Sequence, residues 1–362
     1  MNHFSIPSTN SSYFGSPAEV LDPMVRASRY AGRDTHTARL IEIRTWLQDD
    51  LATLEREIIA PLPEVSDLGQ RAAVHLLGLP GKRVRPLCVV LAARSGGALF
   101  NESIKQLAIA CELVHSATLL HDDVLDEGSE RRGAVAARLA YGNSASVLGG
   151  DYLLVDALRR VYGTGQHQLL ADLMDVIDGM VKAEVAQLER RGKFEANRDA
   201  YLEIIYGKTA AIFEWGLRAG GVAGGLSEEA ARGLGRYGAA IGMAFQVVDD
   251  ILDLAGDSKV MGKDSLVDIK EGKLTWPLIV ACEREPSIEV CLREIACTPE
   301  ALDETYAQSL RQRILATGAL EETRQAAQEC AKQAQLALEA VPASKSRDAL
   351  ATVIEAVVNR GL

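Results

Sequence analysis

The chain has no Cys-x-x-Cys pair, no apolar run long enough to cross a bilayer, no excess of positive charge, and almost none of the Val/Ile/Thr alternation typical of strands. Each absence excludes something. The six cysteines, Cys88, Cys111, Cys282, Cys291, Cys297 and Cys330, are scattered mostly through apolar stretches. Without paired spacing they read as reduced thiols of a cytoplasmic protein rather than as a zinc site or a disulfide framework. A bilayer-spanning helix needs about 20 consecutive apolar residues, so a soluble protein is expected. A net charge of -11 argues against a general binder of nucleic acid or anionic membrane. Basic groups that matter must therefore act locally.

What is present is a helical pattern. With 362 residues, 48% hydrophobic and 25% charged, the chain has ample length to bury a core. Residues 1–36 are rich in Ser, Asn, Pro and Gly without periodicity and read as a flexible tail without the apolar core of a secretory signal. From Thr37 onward apolar residues recur at helical spacing, which predicts one large all-α domain over 37–362. Helices are expected near 38–59, 66–77, 84–96, 101–121, 132–140, 144–162, 166–191, 198–219, 227–254, 274–284 and 288–297, with more beyond 300. They are punctuated by Gly and Pro at positions such as Pro80-Gly81, Gly128 and Gly192. The glycine-rich stretch 220–225 follows no strand and makes a poor nucleotide loop.

Within this pattern Asp-Asp-x-x-Asp occurs twice, as Asp122-Asp123-Val124-Leu125-Asp126 and as Asp249-Asp250-Ile251-Leu252-Asp253, each inside an apolar stretch. Residues four apart share a helix face, so Asp122 stacks over Asp126 and Asp249 over Asp253, and the bare carboxylates repel one another. Hard oxygen ligands without a His or Cys pattern suit Mg²⁺, which commonly shares its remaining positions with substrate phosphates. Two such clusters facing each other would make a polymetal clamp for a diphosphate.

A diphosphate also needs cations from the protein. Gly81-Lys82-Arg83-Val84-Arg85-Pro86 opens a helix, where backbone N–H groups and the dipole also favour an anion. Arg131-Arg132-Gly133 can fold back over the first cluster through the Gly128 turn, and arginine's planar fork suits phosphate. Lys208-Thr209 and the segment from Lys263 to Lys273 add further candidates. His115 lies two turns before Asp122 on the same face, Gln246 one turn before Asp249, and His121 beside the first cluster but off its axis.

In this order the motifs Gly-Lys-Arg-Val-Arg-Pro at 81–86, His-Ser-Ala-Thr-Leu-Leu-His-Asp-Asp-Val-Leu-Asp at 115–126, Arg131-Arg132-Gly133, Gly-Lys-Thr at 207–209 and Phe-Gln-Val-Val-Asp-Asp-Ile-Leu-Asp at 245–253 resemble those of the trans-isoprenyl diphosphate synthases (polyprenyl synthetases), in particular the bacterial long-chain group. The likeness spans about residues 40 to 360. It implies an isoprenoid synthase fold with a central cavity, homodimeric assembly, and about three Mg²⁺ ions per active site. By motif, Asp122, Asp126 and Asp249 would ligate the metal, with Asp123, Asp250 and Asp253 beside them. Arg131, Lys208, Thr209, Gln246 and Lys263 would hold the allylic diphosphate, and Lys82, Arg85, His115 and Arg132 the isopentenyl diphosphate. Asp122, Asp126, Asp249 and Lys208 would then carry the chemistry. Departures from the pattern are Pro80 in place of a first glycine, Trp276 in place of leucine or tyrosine, and a 263–268 loop lacking a second common glycine.

The resemblance implies an ionisation, condensation and elimination reaction. The tail of the growing product would run down a cavity beside the helix before Asp122, where Ala117 and Thr118 are small. That predicts a product of about thirty to fifty carbons, the depth of the apolar cavity setting the limit. A geranylgeranyl product and a non-catalytic subunit of a heteromeric synthase are the alternatives. A terpene cyclase would carry Asn/Ser/Glu in its second metal motif and have no use for Lys82 and Arg85.

Overall fold

The computed structural model describes residues 21–59, 67–255, 267–298 and 303–359. Helices dominate the described residues, as the periodicity requires. They are α1 (Asp22–Tyr30), α2 (Asp34–Trp46), α3 (Gln48–Ile59), α4 (Leu68–Leu77), α5 (Val84–Ser95), α6 (Glu102–Leu125), α7 (Ala137–Tyr141), α8 (Asn143–Gly163), α9 (His167–Arg190), α10 (Arg198–Ile205), α11 (Ala211–Ala223) and α12 (Glu228–Ala255). After these come α13 (Val267–Lys270), α14 (Trp276–Arg284), α15 (Ser287–Cys297), α16 (Glu304–Ala316), α17 (Ala319–Ala337) and α18 (Lys345–Val358). Side-chain caps start several of them. Asn101 accepts from the Ile104 N–H at the head of α6, and Asn197 from Ala200 N–H at the head of α10, each satisfying a donor the helix cannot.

The core is one cluster of Leu, Ile, Val and Ala with α6 running through it. Leu107 through Val114 on α6 are all buried, so this helix has no solvent face over two turns. It packs against α8, α5 and α11, and α11 lies along α12. The two acidic motifs therefore arrive on two long helices joined through α11.

Three expectations are corrected. Residues 21–36 are not a flexible tail. Leu21, Met24 and Val25 of the α1 segment are buried, and α1 packs on α2 and α18, because its few apolar residues fall on one face. The stretch 38–59 is two helices broken at Leu47. The helix expected at 132–140 starts later, and Glu130–Arg131 pairs antiparallel with Ala134–Val135 in a two-residue hairpin. Its turn residues Arg132 (φ 53°) and Gly133 (φ 78°) are both left-handed, the geometry of a type I′ turn.

Candidate active site

The first acidic motif ends α6. Asp122 and Asp123 lie in its last turn, and Asp126 is the residue that closes it. The second lies near the end of α12 with Gln246 one turn before it. Between them stands a π-helical turn, Tyr206–Ala210, carrying Lys208 and Thr209. Such turns widen a helix by one residue and often mark functional sites. Lys208 Nζ is 3.5 Å from Asp122 and 2.5 Å from Glu184 of α9, while the Thr209 hydroxyl donates to Gln246 Oε1 at 3.2 Å. One turn of backbone thus touches the first cluster and Gln246, which in turn donates to Asp250 of the second.

Asp126 is gripped from two sides. Arg191, just beyond α9, reaches it at 2.9 Å, and Lys273 at 2.7 Å. The loops bearing these cations are tied together, Gly192 N–H donating to Gly272 C=O and the Arg191 side chain to Glu271 C=O. Burial, followed by the competing charges of Lys208, Glu184 and Asp126, leaves Asp122 above the ordinary carboxylate range. Among the described residues no three carboxylate, imidazole or thiol groups converge closely enough to hold an ion by themselves. Lys208, Arg191 and Lys273 stand against the carboxylates instead, relieving their repulsion.

The residues nevertheless fit Mg²⁺. Asp122 and Asp126 are half-buried hard-oxygen donors on one face, and Glu184 Oε1 beside them is buried with no hydrogen-bond partner. Mg²⁺ typically takes one or two carboxylates plus substrate phosphates rather than an all-protein cage.

Asp123 and Asp250, expected with the metal ligands, are engaged elsewhere. Successive helical residues point about 100° apart, so the middle aspartate of each motif leaves the shared face. Asp123 is fully buried and accepts from Arg131 Nε at 2.9 Å. Asp250 accepts from the Tyr201 hydroxyl at 2.6 Å, the Trp276 N–H at 3.1 Å and Gln246 Nε2 at 3.1 Å. Burial pushes its carboxyl up to about 7 against the pull of these hydrogen bonds. Trp276, a departure from the family pattern, therefore holds Asp250 through its backbone. Asp249 and Asp253 are partly exposed on α12. Lys263 lies outside the described residues.

A second, basic cluster gathers where the 81–85 turn, α6 and the hairpin meet. His115 lies in the field of Arg85, Arg132, Arg131 and Arg83; burial first and those charges next hold its imidazole well below the usual histidine range. The Arg85 guanidinium lies 4.6 Å over the Phe213 ring, and Lys82 Nζ 5.5 Å from the Phe245 ring, cation–π distances. Arg131 faces Asp123, bridging this cluster to the first motif. Ala117 is fully buried and Thr118 half-buried, its hydroxyl donating to His115 C=O. Sequence reasoning missed Glu184, Arg191, Tyr201 and Glu112, which belong to no short motif. Lys273 stood inside a flagged basic segment but was not singled out.

Two acidic motifs on helices of one core, with a cationic turn between them and a basic cluster beside the first, make a site of the kind that handles diphosphates. The polyprenyl synthetase family profile matches residues 67–312. The octaprenyl diphosphate synthase of Escherichia coli (strain K12) is 34% identical over 326 residues, covering 89% of this chain and 99% of that protein. Heptaprenyl diphosphate synthase component 2 of Geobacillus stearothermophilus is 36% identical over 251 residues, 68% of this chain and 77% of that one. The crystal structure of a polyprenyl synthase from Caulobacter crescentus CB15, complexed with calcium and isoprenyl diphosphate, matches with a TM-score of 0.81 at 34% identity, over 94% of this chain and 98% of that one. The chain belongs to the polyprenyl synthetase family and is a trans-prenyltransferase.

Proposed function

We propose that this enzyme elongates an allylic diphosphate such as farnesyl diphosphate with isopentenyl diphosphate to an all-trans long-chain polyprenyl diphosphate, with Mg²⁺, as a cytoplasmic homodimer. What supports this reading is that cationic and polar side chains fall into two groups, each suited to one diphosphate. One is the acidic motif with Lys208, Thr209, Gln246 and Lys273; the other is the basic cluster of Lys82, Arg85, His115 and Arg132. A condensing enzyme must hold two diphosphates side by side. A cyclase needs only the first.

Mg²⁺ bound at Asp122, Asp126 and Asp249 would neutralise charge growing on the leaving diphosphate. Lys208 stands at that same point, and Thr209, Gln246, Arg131 and Lys263 are assigned to orient the allylic diphosphate so that its C–O bond lies in their positive field. Cleavage of that bond leaves an allylic cation and free diphosphate. The basic cluster holds isopentenyl diphosphate so that its double bond attacks the cation, and the proton lost in restoring the alkene passes to the released diphosphate. No side-chain nucleophile is required.

Homodimerisation is supported by apolar surface on adjacent helices. Leu148, Val155 and Tyr162 are exposed at seven-residue spacing on α8, and Met174, Val181, Val185 and Leu188 on α9. Among the described residues no helix is long and apolar enough to cross a membrane. The small Ala117 and Thr118 before Asp122, together with the octaprenyl and heptaprenyl relatives, favour a long product. The purified chain, alone, is incubated with Mg²⁺, farnesyl diphosphate and labelled isopentenyl diphosphate. A ladder ending at about thirty to fifty carbons is expected, set by cavity depth, and Ala117→Phe should shorten it. Termination at geranylgeranyl overturns the long-chain reading. No incorporation without a second polypeptide makes the chain one component of a heteromeric enzyme.

A further inference from the structure

Beneath the basic cluster lies a carboxylate that the reaction scheme leaves unused. Glu112 is on α6, one turn before His115, and is 2% exposed. It accepts from Arg83 Nη1 at 2.7 Å. The other side of the same guanidinium grips Glu55 of α3 through Nε at 3.0 Å and Nη2 at 3.1 Å, and Nη2 also donates to Leu77 C=O at 2.8 Å. Arg83 is thus committed to the interior, although it sits in the middle of the basic motif. Its backbone is left-handed, φ 43°, a conformation that a non-glycine residue keeps only when its surroundings enforce it.

Lys82 and Arg85 flank that residue, so the direction in which each points follows from how Arg83 is anchored. Glu112 also supplies the largest opposing charge felt by both Arg85 and Arg132. One buried anion therefore sits among guanidiniums drawn from the turn and from the hairpin.

We propose that Glu112 is a positioning residue for the isopentenyl diphosphate subsite, fixing the 81–85 turn through Arg83 and holding Arg85 and Arg132 in register across the cluster. The proposal rests on the reading that Lys82, Arg85, His115 and Arg132 form that subsite. It makes a prediction opposite in sign to simple electrostatics. A negative charge under an anion site repels the anion, so Coulomb's law alone says that removing it tightens substrate binding. If geometry governs, removing it loosens binding.

The test compares steady-state KM for isopentenyl diphosphate and for farnesyl diphosphate in Glu112→Gln, Glu112→Asp and Arg132→Gln, with thermal melting followed in parallel. Glu112→Gln is expected to raise the isopentenyl KM about tenfold, in line with the cost of misplacing a binding group, and to leave the farnesyl KM within about twofold. Glu112→Asp keeps the charge but withdraws it from Arg83, and should raise the same KM; it gives the same reading if the amide variant fails to fold. An isopentenyl KM that is unchanged or lower in either folded Glu112 variant, while Arg132→Gln raises it, overturns the role of Glu112. If Arg132→Gln also leaves it unchanged, the subsite assignment itself fails.

Discussion

His115 shows how one residue's surroundings set its chemistry. Burial, and after it the charges of four arginines, hold its imidazole well below the usual histidine range, so it is suited to donate a hydrogen bond to an anion rather than to bring a charge. The consequence for stability has a definite sign. In the unfolded chain a histidine takes up a proton near pH ~6.5, whereas the folded protein refuses it until well below. Below that pH the unfolded state binds more protons, and stability is lost as pH falls. Asp250 works in the opposite direction, because its folded carboxyl titrates at about 7 and an unfolded one near ~3.9. The wild-type profile therefore mixes the two. Comparing urea denaturation of wild type and His115→Gln from pH 7.5 to 5.5 isolates the histidine. The wild type should lose up to about 1.4 kcal/mol per pH unit below 6.5 relative to the variant, and a constant difference would show that His115 titrates normally. The register argument led to His115 because both it and Asp122 lie on the single helix α6. It did not reveal Glu112 or Arg83 as partners, since a pair drawn from a turn and a helix 29 residues apart leaves no local pattern.

At the level of the element, the turn that joins the two acidic motifs depends on a close helix approach. Residues 198–219 read as one uninterrupted helix, yet the chain runs α10, π-turn, α11. Hydrophobic periodicity cannot show a single extra residue in a turn when small residues such as Gly207, Thr209 and Ala210 occupy it. What holds the turn is its contact with α12. A Cβ added at Gly242 would lie 2.5 Å from Ala210 Cα and 3.0 Å from its Cβ, and neither atom can move without shifting Lys208 and Thr209. Gly242→Ala is expected to cost ~1–3 kcal/mol, the usual range for overpacking, and to raise the KM for the allylic diphosphate more than that for isopentenyl diphosphate. Calorimetry and steady-state kinetics check the two halves. A variant with wild-type melting and kinetics would mean that the helices part without disturbing the turn.

At the scale of the molecule, helical class and a single core were legible because apolar residues recur at helical spacing along most of the chain, and α4, α5, α8, α9 and α12 begin and end close to the expected bounds. The N-terminal segment was not, since Leu21, Met24 and Val25 make too short an apolar set to stand out in sequence, although they form the face by which α1 packs on α2 and α18. The surface of α8 and α9 was also silent, because exposed and buried apolar residues look alike in sequence. That surface now carries a test of the assembly. Stable dimers bury about 800 Å² per partner, an area within reach of two adjacent helices of 21 and 24 residues. Val181 is 59% exposed and lies one heptad after Met174 and four residues before Val185. A carboxylate there meets water in a monomer and costs little, but at the centre of a two-copy interface it is desolvated against apolar groups. Light scattering should give wild type twice the chain mass and Val181→Asp the mass of one chain, with unchanged helical circular dichroism. A wild-type protein of single-chain mass, or a dimer indifferent to the substitution, would remove α8 and α9 as the contact between copies.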